Sequence, residues 1–323
     1  EGFTETLRIN TSQIRRRIKN PNLKFESMKI GRQTKTEIAI AYIEGIVNEK
    51  IVDEAKKRLN RIDTDSILES GYIEEFIEDA PFSFLPTVGN SEKPDVVAAK
   101  ILEGRVAILT DGTPFVLTVP YLFVEAFQSS EDYYSRPFYV TLIRWIRIIA
   151  YFICIFAPAL YVAITTFHQE MLPPALLISM AAAREGTPFP VIVEALGMGI
   201  IFEILREAGI RLPRPVGQAV SIVGALVIGE SAVTAGLIGA PMVIVVAITA
   251  ISSFVVSAIS DTTSIMRLYY VVLSGFLGLF GIMIGAAVLL THMVSLRSFG
   301  IPYLSPLAPT NAYDLKDALA RAP

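Results

Sequence analysis

A chain of 323 residues that is 52% hydrophobic and only 18% charged, with a formal net charge of −3, is too apolar for an ordinary soluble domain. One cysteine and two histidines exclude a disulfide framework and a His/Cys metal site, and the near-balanced charge singles out no polyanionic partner. The apolar residues are unevenly spread: positions 1–140 are mixed and charged, while 145–292 are largely hydrophobic.

Positions 1–35 read as a basic leader, part of a truncated soluble region. The chain opens on Glu1 rather than Met, so the natural N-terminus is expected upstream, and 1–30 lack the apolar core of a signal peptide. Arg15, Arg16, Arg17, Lys19, Lys24, Lys29, Arg32 and Lys35 suit anionic membrane lipids, at roughly 1 kcal/mol per cation near the surface. A solvated helix face or a subunit contact explains them equally well. Aromatic or base-reading partners are few, so no nucleic acid is expected.

Positions 36–140 read as a soluble α/β domain. TEIAIAYIEG alternates and predicts a strand ending at Gly45. Asn48 is placed to cap a helix through Leu59 with Ile51, Val52, Ala55 and Leu59 on its inner face. A second helix is predicted over Ser66–Ile77, with Leu68, Tyr72 and Phe76 as its apolar side. Pro94 opens a third helix, to Leu102. RVAILTDGTPFVLTVP places two apolar runs around Asp111-Gly112 and predicts a hairpin. No phosphate-binding loop, nucleophile elbow or metal motif occurs, and carboxylate pairs such as Asp63/Asp65 and Glu74/Glu75 read as soluble surface, so no enzyme and no cofactor are expected.

Positions 141–292 read as a helical membrane domain. Ile148–Phe167 is long enough for roughly 30 Å of hydrocarbon, with Trp145, Arg144 and Arg147 as interface anchors and Pro158 as a kink. The His168–Pro174 loop lacks Lys and Arg, as expected if the soluble domain is cytoplasmic. Ala175–Ala183 is too short to span. Val191–Ile204, carrying Glu194 and Glu203, reads as a bundle-interior, re-entrant or interfacial helix. Val216–Thr234 follows, then Gly236–Ile259, interrupted by Pro241. Asp261 and Arg267 come next, at an interface, and Leu268–His292 is the last stretch. Gly275, Gly278, Gly281 and Gly285 permit close approach between helices. Positions 293–323 are a Pro-rich, then charged tail. The fold class is α+β: an N-terminal soluble α/β domain followed by an α-helical transmembrane bundle of four to five membrane segments.

The strings EGFTETLRINTSQIRRRIK, GRQTKTEIAIAYIEGIV, EDYYSRP, FHQEMLPPALLISMAAAREGTPFP, LREAGIRLPRPVGQAVSIVGALVIGE and SFGIPYLSPLAP resemble the A subunit of bacterial spore germinant receptors, over essentially the whole chain. Against that family's pattern, a further N-terminal soluble region and part of a basic C-terminal tail are missing. The resemblance implies an integral protein of the spore inner membrane, with its soluble domain facing the cytoplasm or spore core. It implies a nutrient-binding, multi-spanning B subunit and a lipoprotein C subunit as partners. It also implies homo-oligomerisation into a nutrient-gated channel for monovalent cations.

Within Val216–Thr234, helical periodicity sets Val220, Val223, Gly224, Val227, Glu230 and Ser231 on one face. In a symmetric ring Val227 would form an apolar constriction and Glu230 a cation-attracting mouth. The face Gln218, Ser221, Ala225 and Ile228 is the rival. Taken alone, these polar residues read more readily as neighbours satisfied in a packed bundle; with the resemblance, the pore reading is favoured. A secondary transporter is disfavoured because no inverted repeat is visible. A non-conducting scaffold relaying a signal stays open.

Overall fold

The computed structural model describes residues 2–212, 229–310, 314–318, 320 and 321. The chain divides into two compact units: Glu1–Arg144 together with His292–Pro323, and Trp145–Thr291. The first is an α/β domain and the second is helical.

The α/β unit is built on five antiparallel strands in the order β1-β2-β4-β5-β3. They are β1 (Leu23–Ile30), β2 (Thr36–Ile43), β3 (Gly89–Ser91), β4 (Val106–Thr110) and β5 (Val116–Val119). Period-2 alternation sends the two faces into two cores. Ile38, Ile40, Val106, Ile108, Leu117 and Val119 pack with α2 (Glu49–Asn60) and α3 (Ser70–Ile77). Ala39, Ala41, Ile43, Ala107, Leu109 and Val116 pack with α1 (Leu7–Arg17) and α4 (Pro94–Leu102). Because both faces are covered, β4 and β5 are buried at every position. Each fully buried aliphatic side chain contributes roughly 1.5–3 kcal/mol.

The predicted strand, capped helix, Pro-led helix and hairpin all form. Asn48 Oδ1 accepts from the Lys50 amide at 3.1 Å, and Gly112 turns the hairpin at φ +90°. Helix α3 differs from expectation. Glu69 caps it by accepting from the Gly71 amide (2.6 Å), so it begins at Ser70 rather than Ser66. Its buried residues are Ser70, Ile73 and Ile77; Leu68, Tyr72 and Phe76 face outward. The i, i+4 stripe exists but lies on the outer side, because the short helix has a second apolar stripe and the sheet takes that one.

The positions read as a leader and a tail are woven into this unit. Strand β1 pairs with β2 from Leu23↔Ile43 to Ile30↔Thr36, and Ile14 of α1 is fully buried. Several leader cations are engaged locally: Arg15 lies 4.6 Å over the Phe25 ring, Lys24 pairs with Glu44 (3.3 Å), and Arg32 with Asp63 (2.5 Å). At the other end, β6 (Arg297–Ser298) and β7 (Ile301–Pro302) form a hairpin. Ser298 Oγ donates to Thr87 O (2.6 Å) and accepts from the Tyr121 amide (2.9 Å), while Phe299 is buried in the core under Arg58.

Glu74 on α3 is pushed up from 4.5 to about 7, by burial first and then by Glu78, against a hydrogen bond from Asn90. Above pH 4.5 the unfolded chain releases a proton that the folded chain keeps, so this group lowers stability as pH rises from 4.5 to about 7. Glu74→Gln is therefore expected to remove that slope and to stabilise the unit by about 1–2 kcal/mol at pH 8. Hydrogen exchange of the β4 amides, followed in the whole chain across this pH range, reads the difference.

The helical unit begins in α5 (Pro137–Phe167), which contains Pro158, and continues through α6 (Pro174–Arg184), α7 (Val191–Arg211), α8 (Gly229–Thr234), α9 (Ala240–Val255) and α10 (Ser260–Ser295). Among the described residues, α5 and α10 are the helices long and apolar enough to cross a membrane. At 11 and 16 residues, α6 and α9 are shorter. Helix α7 has 21 residues but carries Glu194, Glu203, Arg206, Glu207 and Arg211.

Helix α10 is not one rod. Gly278 has φ +61° and ψ −144°, and the chain folds back there. A Cβ at Gly285 would lie 2.9 Å from the Tyr270 ring, fifteen positions earlier. In a straight helix those positions stand roughly 22 Å apart. Gly281 likewise backs onto the Leu273 carbonyl. Gly281 and Gly285 therefore bring together two arms of one helix, 260–277 and 279–295, while Gly275 meets Ile192 of α7 and Gly278 meets Phe167 of α5. The first arm runs parallel to α5: Tyr151 meets Met266, Phe156 meets Tyr270, and Phe167 meets Gly278.

Candidate functional site

The three acidic residues singled out by the sequence, Glu194, Glu203 and Glu230, have three settings. Glu194 lies in the first turn of α7 with its side chain fully buried. Its carboxylate accepts from the Gly239 amide, the N-cap of α9, at 3.1 Å, and pairs with Arg184 at the end of α6 at 3.2 Å. Two helix N-termini thus converge on one carboxylate, and both dipoles favour its charge. Glu194 is a clasp joining α6, α7 and α9.

Glu203, on the same helix, bridges two arginines: Arg267 of α10, in a short contact, and Arg206 at 2.8 Å. Arg206 also donates to Ser264 Oγ (3.1 Å). Arg267 is buried here, with Phe202 under its guanidinium at 5.5 Å, and not at an exposed interface; Asp261 keeps the exposed position. The Glu203–Arg267 pair forms part of the rim of an apolar cleft of about 680 Å³ between α7, α9 and α10. Buried charges need such pairing, because an uncompensated ion in a low-dielectric interior costs several kcal/mol.

Glu230 and Ser231 lie on α8 and are both exposed. Among the described residues Glu230 forms no ion pair. Val220, Val223, Gly224 and Val227, predicted on the same face, lie outside the described residues, as does the rival face of Gln218, Ser221, Ala225 and Ile228. The structure therefore separates Glu194 and Glu203, each held by arginine, from Glu230.

Arg144, expected as an interface anchor, has its guanidinium turned into the protein. It is fully buried in the α/β unit, where Nε donates to Asp132 Oδ2 (2.9 Å) and Nη1 contacts Asp317 Oδ1 (3.0 Å). Gln128 also holds the Asp317 carbonyl (2.9 Å). The sequence reading missed the roles of Arg184, Asp132 and Asp317. Their partners lie 10, 12 and 173 positions away, at spacings that no helix or strand period relates. Among the described residues, no three His, Cys, Asp or Glu side chains group to hold a metal ion.

The whole chain, residues 1–323, matches a family described as Bacillus/Clostridium GerA spore germination protein. It is 57% identical to spore germination protein KA of Bacillus subtilis (strain 168), over all of this chain and 60% of that protein. It is 52% identical to the uncharacterized membrane protein YfkQ of the same organism, covering 63% of it. It is 43% identical to spore germination protein GerLA of Bacillus cereus, covering 66% of it. The chain thus spans about three fifths to two thirds of the length of these relatives. A crystal structure of the N-terminal domain of the A subunit of the Bacillus megaterium spore germinant receptor GerK3 matches at 56% identity. That match covers 38% of this chain and 98% of that one, with a TM-score of 0.32.

Proposed function

The chain belongs to the GerA family of spore germination proteins, and from that premise we propose that it is the A-type subunit of a nutrient-sensing receptor, assembling into a nutrient-gated cation channel. The B subunit binds the nutrient, the C subunit lipoprotein completes the complex, and release of monovalent cations starts the exit from dormancy. The observation that carries the channel reading is the division among the three acids Glu194, Glu203 and Glu230. Arginines neutralise Glu194 and Glu203, while Glu230 stands exposed without an ion pair among the described residues. An acidic ring at a channel mouth has that property.

The membrane path has four crossings. Because α5 and the first arm of α10 are parallel, the chain returns once between them. The second arm of α10 makes the fourth crossing. An even count is supported by the α/β unit, which holds both Arg144 and His292. The soluble unit faces the spore core of the inner membrane, in keeping with a His168–Pro174 connection that lacks Lys and Arg.

Cation flux through the chain in liposomes, with and without B and C subunits, tests this. Val227→Ala is expected to raise basal flux several-fold, and Glu230→Gln to shift the reversal potential away from cation preference. Absence of flux in every combination of verified, oriented complexes would instead make the chain a non-conducting scaffold that relays the signal to another channel.

A further inference from the structure

The segment Ala80–Pro86, APFSFLP, carries no charge, and at its tip Phe82 is 104% exposed. It belongs to the α/β unit and lies far in sequence from any apolar helix, so its hydrophobicity has no local use. Its construction is specific. Leu85 is buried and anchors one side. The Ser83 amide donates to Ala80 O at 2.9 Å and closes a turn that throws Phe82 outward. Ser83 Oγ accepts from the Leu85 amide (3.1 Å) and hydrogen-bonds His292 Nε2 (2.8 Å). The Phe84 ring lies 5.7 Å from the His292 ring.

His292 is the informative contact. It directly follows the apolar run GIMIGAAVLLT of the second arm of α10. Where that arm leaves hydrocarbon, the next residue lies in the headgroup layer, and aromatic side chains are favoured there. The hydrogen bond to Ser83 holds the Phe82 turn at that level. A solvent-facing loop would leave a whole phenyl ring in water. A loop at the bilayer boundary places it among acyl-chain ends and headgroups.

We propose that the Ala80–Pro86 turn is a membrane-dipping loop. In this reading Phe82 inserts into the interfacial layer of the lipid bilayer and seats the α/β unit on the membrane through a second point besides its covalent links. The proposal rests on the reading of α5 and α10 as membrane-spanning helices. Its partner is the lipid surface, recognised by apolar and aromatic contact and not by charge.

The single tryptophan of the chain, Trp145, allows a test with an internal control. The whole chain is reconstituted in phosphatidylcholine vesicles whose acyl chains carry bromine at shallow or deep positions. Trp145 fluorescence in the unchanged chain reports the spanning helix. Phe82→Trp in a Trp145→Phe background reports the loop with a conservative exchange of one ring for another. Quenching of the new tryptophan by shallow bromine, at least as strong as that of Trp145, is expected, together with protection from aqueous acrylamide. Quenching of Trp145 alone overturns the loop proposal and leaves the membrane reading standing. No quenching of either overturns both. Protection that appears only when the B or C subunit is added makes the loop a protein contact and overturns the lipid assignment.

Discussion

Gly278→Ala is expected to destabilise the helical unit by roughly 3–5 kcal/mol. At φ +61° and ψ −144°, Gly278 occupies backbone space that other residues enter only at about 1–3 kcal/mol. A methyl group there would also meet His168 Cε1 at 2.9 Å and Phe167 Cβ at 3.0 Å, and forced overpacking adds about 1–3 kcal/mol. The same exchange at Gly197, inside α7, is the control. A Cβ there finds nothing within 4 Å, so alanine is expected to be neutral or to stabilise by up to about 1 kcal/mol through helix propensity. Thermal unfolding of the detergent-solubilised chain measures both. Equal midpoints for the two variants would mean that α10 does not turn at Gly278, and the four-crossing path would fall with it.

Arg144→Ala is expected to cost about 3–5 kcal/mol in the α/β unit, because it breaks a buried ion pair: Arg144 is fully buried and meets Asp132, itself 2% exposed, at 2.9 Å. The loss extends to the C-terminal segment, which Arg144 holds through Asp317. Limited proteolysis near residue 317 should therefore quicken in the same variant. Replacing both members, Arg144→Met with Asp132→Leu, removes the charge together with its partner and is expected to lose far less than Arg144→Ala alone. If the single variant unfolds at the same denaturant concentration as the unchanged chain, the pair is not holding the unit together.

What was legible in the sequence follows the range of the interaction that encodes it. The β2 alternation, the Asn48 cap, the Pro94 helix start and the Asp111-Gly112 turn are each written within a few neighbouring residues, and each forms. The buried side of α3 was not legible. Two stripes on one short helix are both apolar, and only the sheet beneath it chooses Ile73 and Ile77 over Tyr72 and Phe76. The glycines of α10 announced close approach but not its partner. For Gly281 and Gly285 that partner is an earlier arm of the same helix, and one dihedral at Gly278 decides it.

The candidate site divides in the same way. From the residues alone came the apolar membrane unit, the unusual Glu194, Glu203 and Glu230, and, through long matching strings, the family. Tertiary structure alone gave Glu194 and Glu203 their partners. Glu194 reaches Gly239 across 45 positions, Glu203 reaches Arg267 across 64, and Arg144 reaches Asp317 across 173. Helix caps, strands and turns depend on neighbours that the chain itself supplies within a few residues. A buried charge depends on whichever distant segment packing brings to it, and that is decided only once the chain has closed on itself.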